Sequence, residues 1–241
     1  MLLNTSLMKS LNKIKYFVFF CFLCMLFFGV YFFINKYFLI KNIQLNSDKK
    51  LILINKDKLI NTNLLFINEE KISKQIVKDN YLLKTAIVEK ILPSTLKISV
   101  SIYEPCVSLI VNIGFFNLSC DGRILQKIKE GKPLLPQINY YQKLNFNSFQ
   151  TGDWIDFKDI QQALYFFDKL QQINLSVLTI DIKGQDMLVF NLKDEKTIVF
   201  SIKKKKESQD YQLELIVKQF KIEGKDYKKI DLRFNKPIVQ F

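Results

Sequence analysis

The sequence predicts an α+β protein carried on a single N-terminal transmembrane helix. Three observations predict it. Tyr16 to Ile34 (YFVFFCFLCMLFFGVYFFI) is a run of 19 uncharged residues, and nothing like it recurs. At ~1.5 Å of rise per residue, such a run spans close to the ~30 Å hydrocarbon core of a bilayer. Leu96, Ile98, Val100 and Ile102 alternate with Lys97, Ser99, Ser101 and Tyr103, which is the period of a half-buried strand. Phe157 to Ile173 places Ile160, Leu164, Phe167 and Leu170 at helical spacing, which is one apolar face of an amphipathic helix.

The N-terminal run reads as an uncleaved anchor. A signal peptide would end in small residues at its cleavage site, whereas this one ends in bulky YFFINKYFLI. Lys9, Lys13 and Lys15 flank it on one side, and Lys36, Lys41 and Lys49 on the other. Lysine asymmetry therefore leaves the orientation open, with a cytoplasmic N-terminus favoured. The expected organisation is a short tail over 1–15, a span over 16–34, and a soluble part from Asn35 to Phe241.

In the soluble part, Phe38 to Leu45 reads as a strand and Leu51 to Ile54 as a second, short one. Asn68 followed by Glu69 and Glu70 predicts a capped helix start, with Ile72, Ile76 and Val77 on its apolar face. Leu83 to Leu92 is strand-like, Pro93-Ser94 marks a turn, and the alternating strand comes next. Together these make an α+β unit ending near Glu104.

Pro105 opens a second, β-rich region of mixed α+β character. Cys106 to Val111 and Phe115 to Cys120 read as a hairpin across Asn112, Ile113 and Gly114, with Gly114 left-handed. That register puts Cys106 opposite Cys120, close enough for a disulfide in an oxidising compartment. Two buried thiols are the other reading. Asp121-Gly122-Arg123 turns back into Ile124 and Leu125, and Lys129 to Pro136 is loop-like. After the Phe157 to Ile173 helix come strands near 175–182, 187–192 and 196–202. Ser208 to Ile222 is a further helix, with Tyr211, Leu215 and Phe220 among its apolar positions. Lys229 to Phe234 and Pro237 to Phe241 are two final strands.

Composition excludes several functions. The chain has no histidine, so Ser/His/Asp and Cys/His arrangements are impossible. There is no G-x-G-x-x-G and no P-loop. No catalytic residue, metal ligand or cofactor is expected. The soluble part carries 33 basic and 23 acidic residues, +10 net. Its lysines are scattered along polar faces, which favours a solvated surface near anionic lipid over a nucleic-acid site. Arg123 and Arg233 stand alone against 34 lysines. Positions that stay arginine under such a bias can be those that need its planar fork.

Four stretches, in order behind the anchor, resemble the FtsQ/DivIB family of bacterial cell-division proteins. They are NLLFINEEKISKQI (Asn63 to Ile76), AIVEKILPSTLKISVSIYEP (Ala86 to Pro105), NLSCDGRIL (Asn117 to Leu125) and KKIDLRFNKPIVQF (Lys228 to Phe241). Leu92 stands where the family often has Trp, and the family's tail beyond the last strand has no counterpart before Phe241. The resemblance implies a POTRA domain at 38–104 and an FtsQ-like β domain at 105–241, both outside the cytoplasmic membrane. It implies a non-enzymatic divisome scaffold in septum formation, with FtsB-like and FtsL-like bitopic proteins as partners. The partner site it implies is Arg233, Phe234 and the strand Pro237, Ile238, Val239, Gln240 and Phe241. Sheet edges accept added strands, and proline is tolerated at the start of an edge strand. Arg233 could hold a partner carboxylate there, or pair internally with Asp231 or Glu214. A POTRA-bearing assembly or secretion component is the alternative function.

Overall fold

The computed structural model describes residues 3–47, 53–184 and 186–241, with backbone only for 3–18 and Lys56. It divides into two compact units, Met1–Ile102 and Tyr103–Phe241.

The first unit opens with helix α1, Leu3–Tyr37. Within it, Phe19–Tyr37 is long and apolar enough to cross a membrane. The helix is longer than the expected 16–34 span at both ends. No Gly or Pro interrupts it before Gly29, and the Phe38 N–H still bonds to the Ile34 carbonyl at 3.3 Å. The expected strand at Phe38 accordingly starts later, as β1 (Asn42–Asn46). Of the expected strand Leu51 to Ile54, Leu51 and Ile52 lie outside the described residues. Leu53 is buried without being in a strand, and Ile54 is in a turn whose N–H is held by the Asn80 side chain at 2.9 Å.

Helix α2 (Glu69–Asp79) begins as the capping pattern requires. The Asn68 side chain accepts the Lys71 N–H at 2.9 Å, and Glu69 and Glu70 occupy the positive first turn. Ile76 is buried, with Ile72 and Val77 packed against the same core. Strands β2 (Leu83–Ile91) and β3 (Thr95–Ile102) pair antiparallel across the Pro93-Ser94 turn, and β1 joins β3 in parallel. Sheet order is β1-β3-β2. Leu96, Ile98 and Val100 are buried in the core.

The second unit is built on a nine-stranded sheet. Its strands are β4 (Pro105–Ile110), β5 (Phe115–Ser119), β6 (Ile124–Ile128), β7 (Gln137–Tyr140), β8 (Val177–Lys183), β9 (Met187–Leu192), β10 (Thr197–Ser201), β11 (Lys229–Asp231) and β12 (Ile238–Gln240). Their order is β12-β11-β10-β9-β8-β7-β4-β5-β6. The parallel pairs β7–β8 and β10–β11 need crossover connections. Helices α3 (Lys158–Gln172) and α4 (Lys206–Glu223) supply them. The two helices meet where Lys169 Nζ and the Tyr165 hydroxyl reach Asp210, at 3.4 and 3.3 Å. On α3, Ile160, Leu164, Phe167 and Leu170 are all buried, as the spacing predicts.

The structure departs from three expectations. Strand β7 falls in a stretch read without a strand; it is short and brings only Ile138 and Tyr140 to the core. On α4, Tyr211 and Leu215 are exposed, and the buried positions are Gln209 and Leu213. The β4–β5 loop has four residues, Val111 to Gly114, so Ser108 pairs with Asn117 and the ladder sits one residue from the expected register. Gly114 is left-handed as expected, with φ 80°. A Cβ there would collide with the backbone of Ile128 and Lys129, so glycine also lets the β6 end approach.

Candidate functional site: the open sheet edge

One edge of the nine-stranded sheet is β12, three residues paired antiparallel to β11 through Lys229↔Gln240, Ile230↔Val239 and Asp231↔Ile238. Pro237 precedes it, where its missing N–H costs no ladder bond. Val239 packs on the core, while Ile238 and Phe241 stay exposed. The Phe241 ring lies 5.8 Å from that of Phe220 on α4, which ties the end of the strand to the helix.

Arg233 and Phe234 are not in a strand. The expected strand Lys229 to Phe234 ends at Asp231 because side chains take the next backbone groups out of the ladder. The Leu232 N–H makes the last cross-strand bond, to the Val199 carbonyl at 2.8 Å. Lys204 Nζ then donates to the carbonyls of Leu232 and Phe234 at 3.0 and 2.8 Å, and Gln212 Nε2 donates to that of Asn235 at 3.1 Å. Burial lowers the Lys204 pKa. This lysine belongs to the run 203–206, which the sequence presents only as a basic loop. Nothing in its spacing signals that one of the four reaches the turn before β12.

Arg233 grips Asp231. Nε lies 2.9 Å from Oδ1 and Nη2 lies 2.6 Å from Oδ2, while the Arg233 backbone N–H donates to Oδ1 at 3.1 Å. Burial by itself would raise the Asp231 pKa; the bonds from Arg233 outweigh it and hold the carboxyl below its ordinary value. Nη1 faces Met187 Sδ at 3.2 Å, and the guanidinium lies 5.5 Å from the Phe234 ring centroid. Of the two readings of Arg233, the structure contains the internal pair with Asp231. A partner carboxylate would have to approach what remains accessible of the guanidinium.

The opposite edge of the sheet, β6, is covered at its start. Ile124 exchanges backbone bonds with 152–153, its N–H donating to the Asp153 carbonyl and its carbonyl accepting the Gly152 N–H. Arg123 bridges Trp154, and Lys127 Nζ donates to the Phe149 carbonyl. The Arg123 guanidinium sits 5.5 Å from the Tyr103 ring and 5.4 Å from the Trp154 ring, and its Nε donates to the Gly152 carbonyl at 3.2 Å. Stacking of a planar cation explains an arginine here in a lysine-rich chain.

Cys106 and Cys120 are joined as a disulfide, with Cα atoms 5.3 Å apart. They are not directly opposite. The ladder shifts between Pro105↔Ser119 and Val107↔Leu118, and Cys106 sits in that irregularity.

Residues 36–101 match the family model for the POTRA domain, FtsQ-type. The chain carries an FtsQ-type POTRA domain. The match covers the first unit from the end of α1 onward, with its β1-β3-β2 sheet and α2, and none of the second. The match supports the resemblance to the FtsQ/DivIB family, and the FtsQ-type domain stands directly after a helix long and apolar enough to cross a membrane. No curated protein matches the chain.

Proposed function

We propose that the protein is a non-enzymatic scaffold of the bacterial divisome, linking early and late division proteins at the septum. In this reading residues 1–15 lie in the cytoplasm and 16–34 cross the cytoplasmic membrane. A POTRA domain at 38–104 and a β domain at 105–241 lie outside. The Cys106–Cys120 disulfide supports that side, because such bonds persist in oxidising compartments. FtsB-like and FtsL-like bitopic proteins bind at the β12 edge, adding a strand to the nine-stranded sheet. The observation that carries the proposal is the asymmetry of that sheet. β6 is covered along its first half by 149–154, while β12 ends the sheet with exposed Ile238 beside it. An unpaired edge is a template for another strand.

The test is binding of a soluble FtsB-like fragment to the full chain in detergent, compared with a chain lacking Lys236 to Phe241. The truncated chain is expected to lose binding while its POTRA domain stays folded. Equal affinity of both chains would contradict the proposal.

A further inference from the structure

Asn63 ties a loop of the POTRA unit to the end of the membrane helix. Its Nδ2 donates to the Ile34 carbonyl at 3.3 Å and to Asn35 Oδ1 at 3.2 Å. The Ile34 carbonyl also accepts the Phe38 N–H, so Asn63 is its second partner at the helix end. The same residue shapes the turn at Leu65 and Phe66. Its Oδ1 accepts the Leu65 N–H at 2.9 Å, and its carbonyl accepts the Phe66 N–H at 3.2 Å. On the other side, Leu39 bridges Asn63, and the Leu64 N–H donates to the Phe38 carbonyl at 2.7 Å. Leu64 is fully buried beneath this turn, but Leu65 is 39% exposed and Phe66 72%.

The position of that turn matters. Ile34 lies three residues before Tyr37, where the span Phe19–Tyr37 ends. At ~1.5 Å per residue that is about 4.5 Å of rise. The polar layer on each side of a ~30 Å core is only about 5–7 Å deep. With the crossing segment ending between Ile34 and Tyr37, a turn bonded to Ile34 sits at the border between the hydrocarbon core and that layer. Tyr37 stacks on Phe33 and meets Phe38 edge-on, both at 5.2 Å, forming an aromatic group of the kind that collects at membrane interfaces. Lys36 and Lys41 flank it, with charge suited to anionic headgroups.

We infer that Leu65 and Phe66 form a second membrane contact, inserted in the interfacial layer beside α1, which fixes the POTRA unit against the bilayer surface. The inference rests on α1 being the membrane anchor. It gives an exposed Leu-Phe pair an occupant, the lipid interface, that the helix beside it already brings within reach.

The experiment uses the full chain with its one tryptophan replaced, Trp154→Phe, and a single tryptophan returned at Phe66, Phe33 or Ile87. Each variant is reconstituted in phosphatidylcholine/phosphatidylglycerol vesicles whose acyl chains are brominated near the headgroup. Phe66→Trp is expected to emit at shorter wavelength than Ile87→Trp and to be quenched by the bromolipid, with Ile87→Trp unquenched. Quenched Phe33→Trp with water-like, unquenched Phe66→Trp overturns the inference and leaves the anchor standing. Unquenched Phe33→Trp overturns the anchor, and the inference with it. A Phe66→Trp blue shift that grows with protein-to-lipid ratio without bromine quenching assigns the pair to a second copy of the chain, which also overturns it.

Discussion

The guanidinium of Arg233 closes on the carboxylate of Asp231, two residues earlier, through Nε and Nη2 at 2.9 and 2.6 Å. Asp231 is 5% exposed and lies in β11, the strand that carries β12. Arg233→Ala leaves that buried charge without its partner. Charge-assisted hydrogen bonds contribute about 1.5–3 kcal/mol, so a loss of that order is expected in urea denaturation at neutral pH. The lowered Asp231 pKa sets the sign with pH. Its stabilisation is complete above the ordinary carboxyl value and is lost as pH falls through the folded one. Stability curves of wild type and Arg233→Ala should therefore converge in acid; a gap that stays constant to low pH would contradict the ion pair.

Lys204 anchors the turn that delivers β12. Lys204→Met keeps the stem but removes the bonds to the carbonyls of Leu232 and Phe234. The expected result is faster amide exchange across 236–240, with slow exchange retained in β8 and β9. Unchanged exchange at 236–240 would mean that Gln212 and the β11 ladder suffice.

Tyr227 is 7% exposed, and its hydroxyl has no hydrogen-bond partner among the described residues. Burial, with the charges of Asp226 and Asp194, pushes its pKa to about 12. A phenol whose folded pKa is raised disfavours folding as soon as the unfolded chain ionises. Its contribution is intact below pH 10.0 and lost as pH rises through about 12. Tyr227→Phe should match or exceed wild-type stability at pH 7, since an unpaired buried hydroxyl is removed. It should also flatten the alkaline loss. A destabilised Phe variant at pH 7 would reveal a bond to that hydroxyl.

The Cys106–Cys120 bond closes a short loop, with a sequence separation of 14. A loop of this size is stabilised by about 3 kcal/mol on chain-entropy grounds. Purified native protein should show two fewer thiols than cysteines by mass spectrometry under non-reducing conditions. Cys106→Ser should lower the denaturation midpoint of the second unit by a comparable free energy. Four free thiols would contradict the bond in the cell.

Much of this fold is legible in the sequence where one residue's environment dictates it. Asn68 caps α2, the alternation in Leu96–Ile102 makes β3, and the spacing from Ile160 to Leu170 makes the buried face of α3. What is not legible depends on contacts distant in sequence. β7 becomes a strand because β4 and β8 flank it in parallel. Tyr211 and Leu215 have helical spacing but lie off the face chosen by Gln209. That side chain is buried at the end of β10, with its Oε1 accepting the Ser201 N–H and its Nε2 donating to the Ser201 carbonyl. At the candidate site, the strand pattern Ile238 to Gln240 is readable. The turn before it is not, because Lys204 and Gln212 reach it from 23 to 30 residues away.

In the proposed function, β12 is the edge that takes a partner strand. Amide hydrogen exchange of the full chain, with and without a soluble FtsB-like fragment, tests it most directly. New protection is expected to concentrate at Ile238, Val239 and Gln240, with β6 and the POTRA sheet unchanged. Binding that protects β6 or the POTRA sheet, and leaves β12 exchanging as in the free chain, would contradict it.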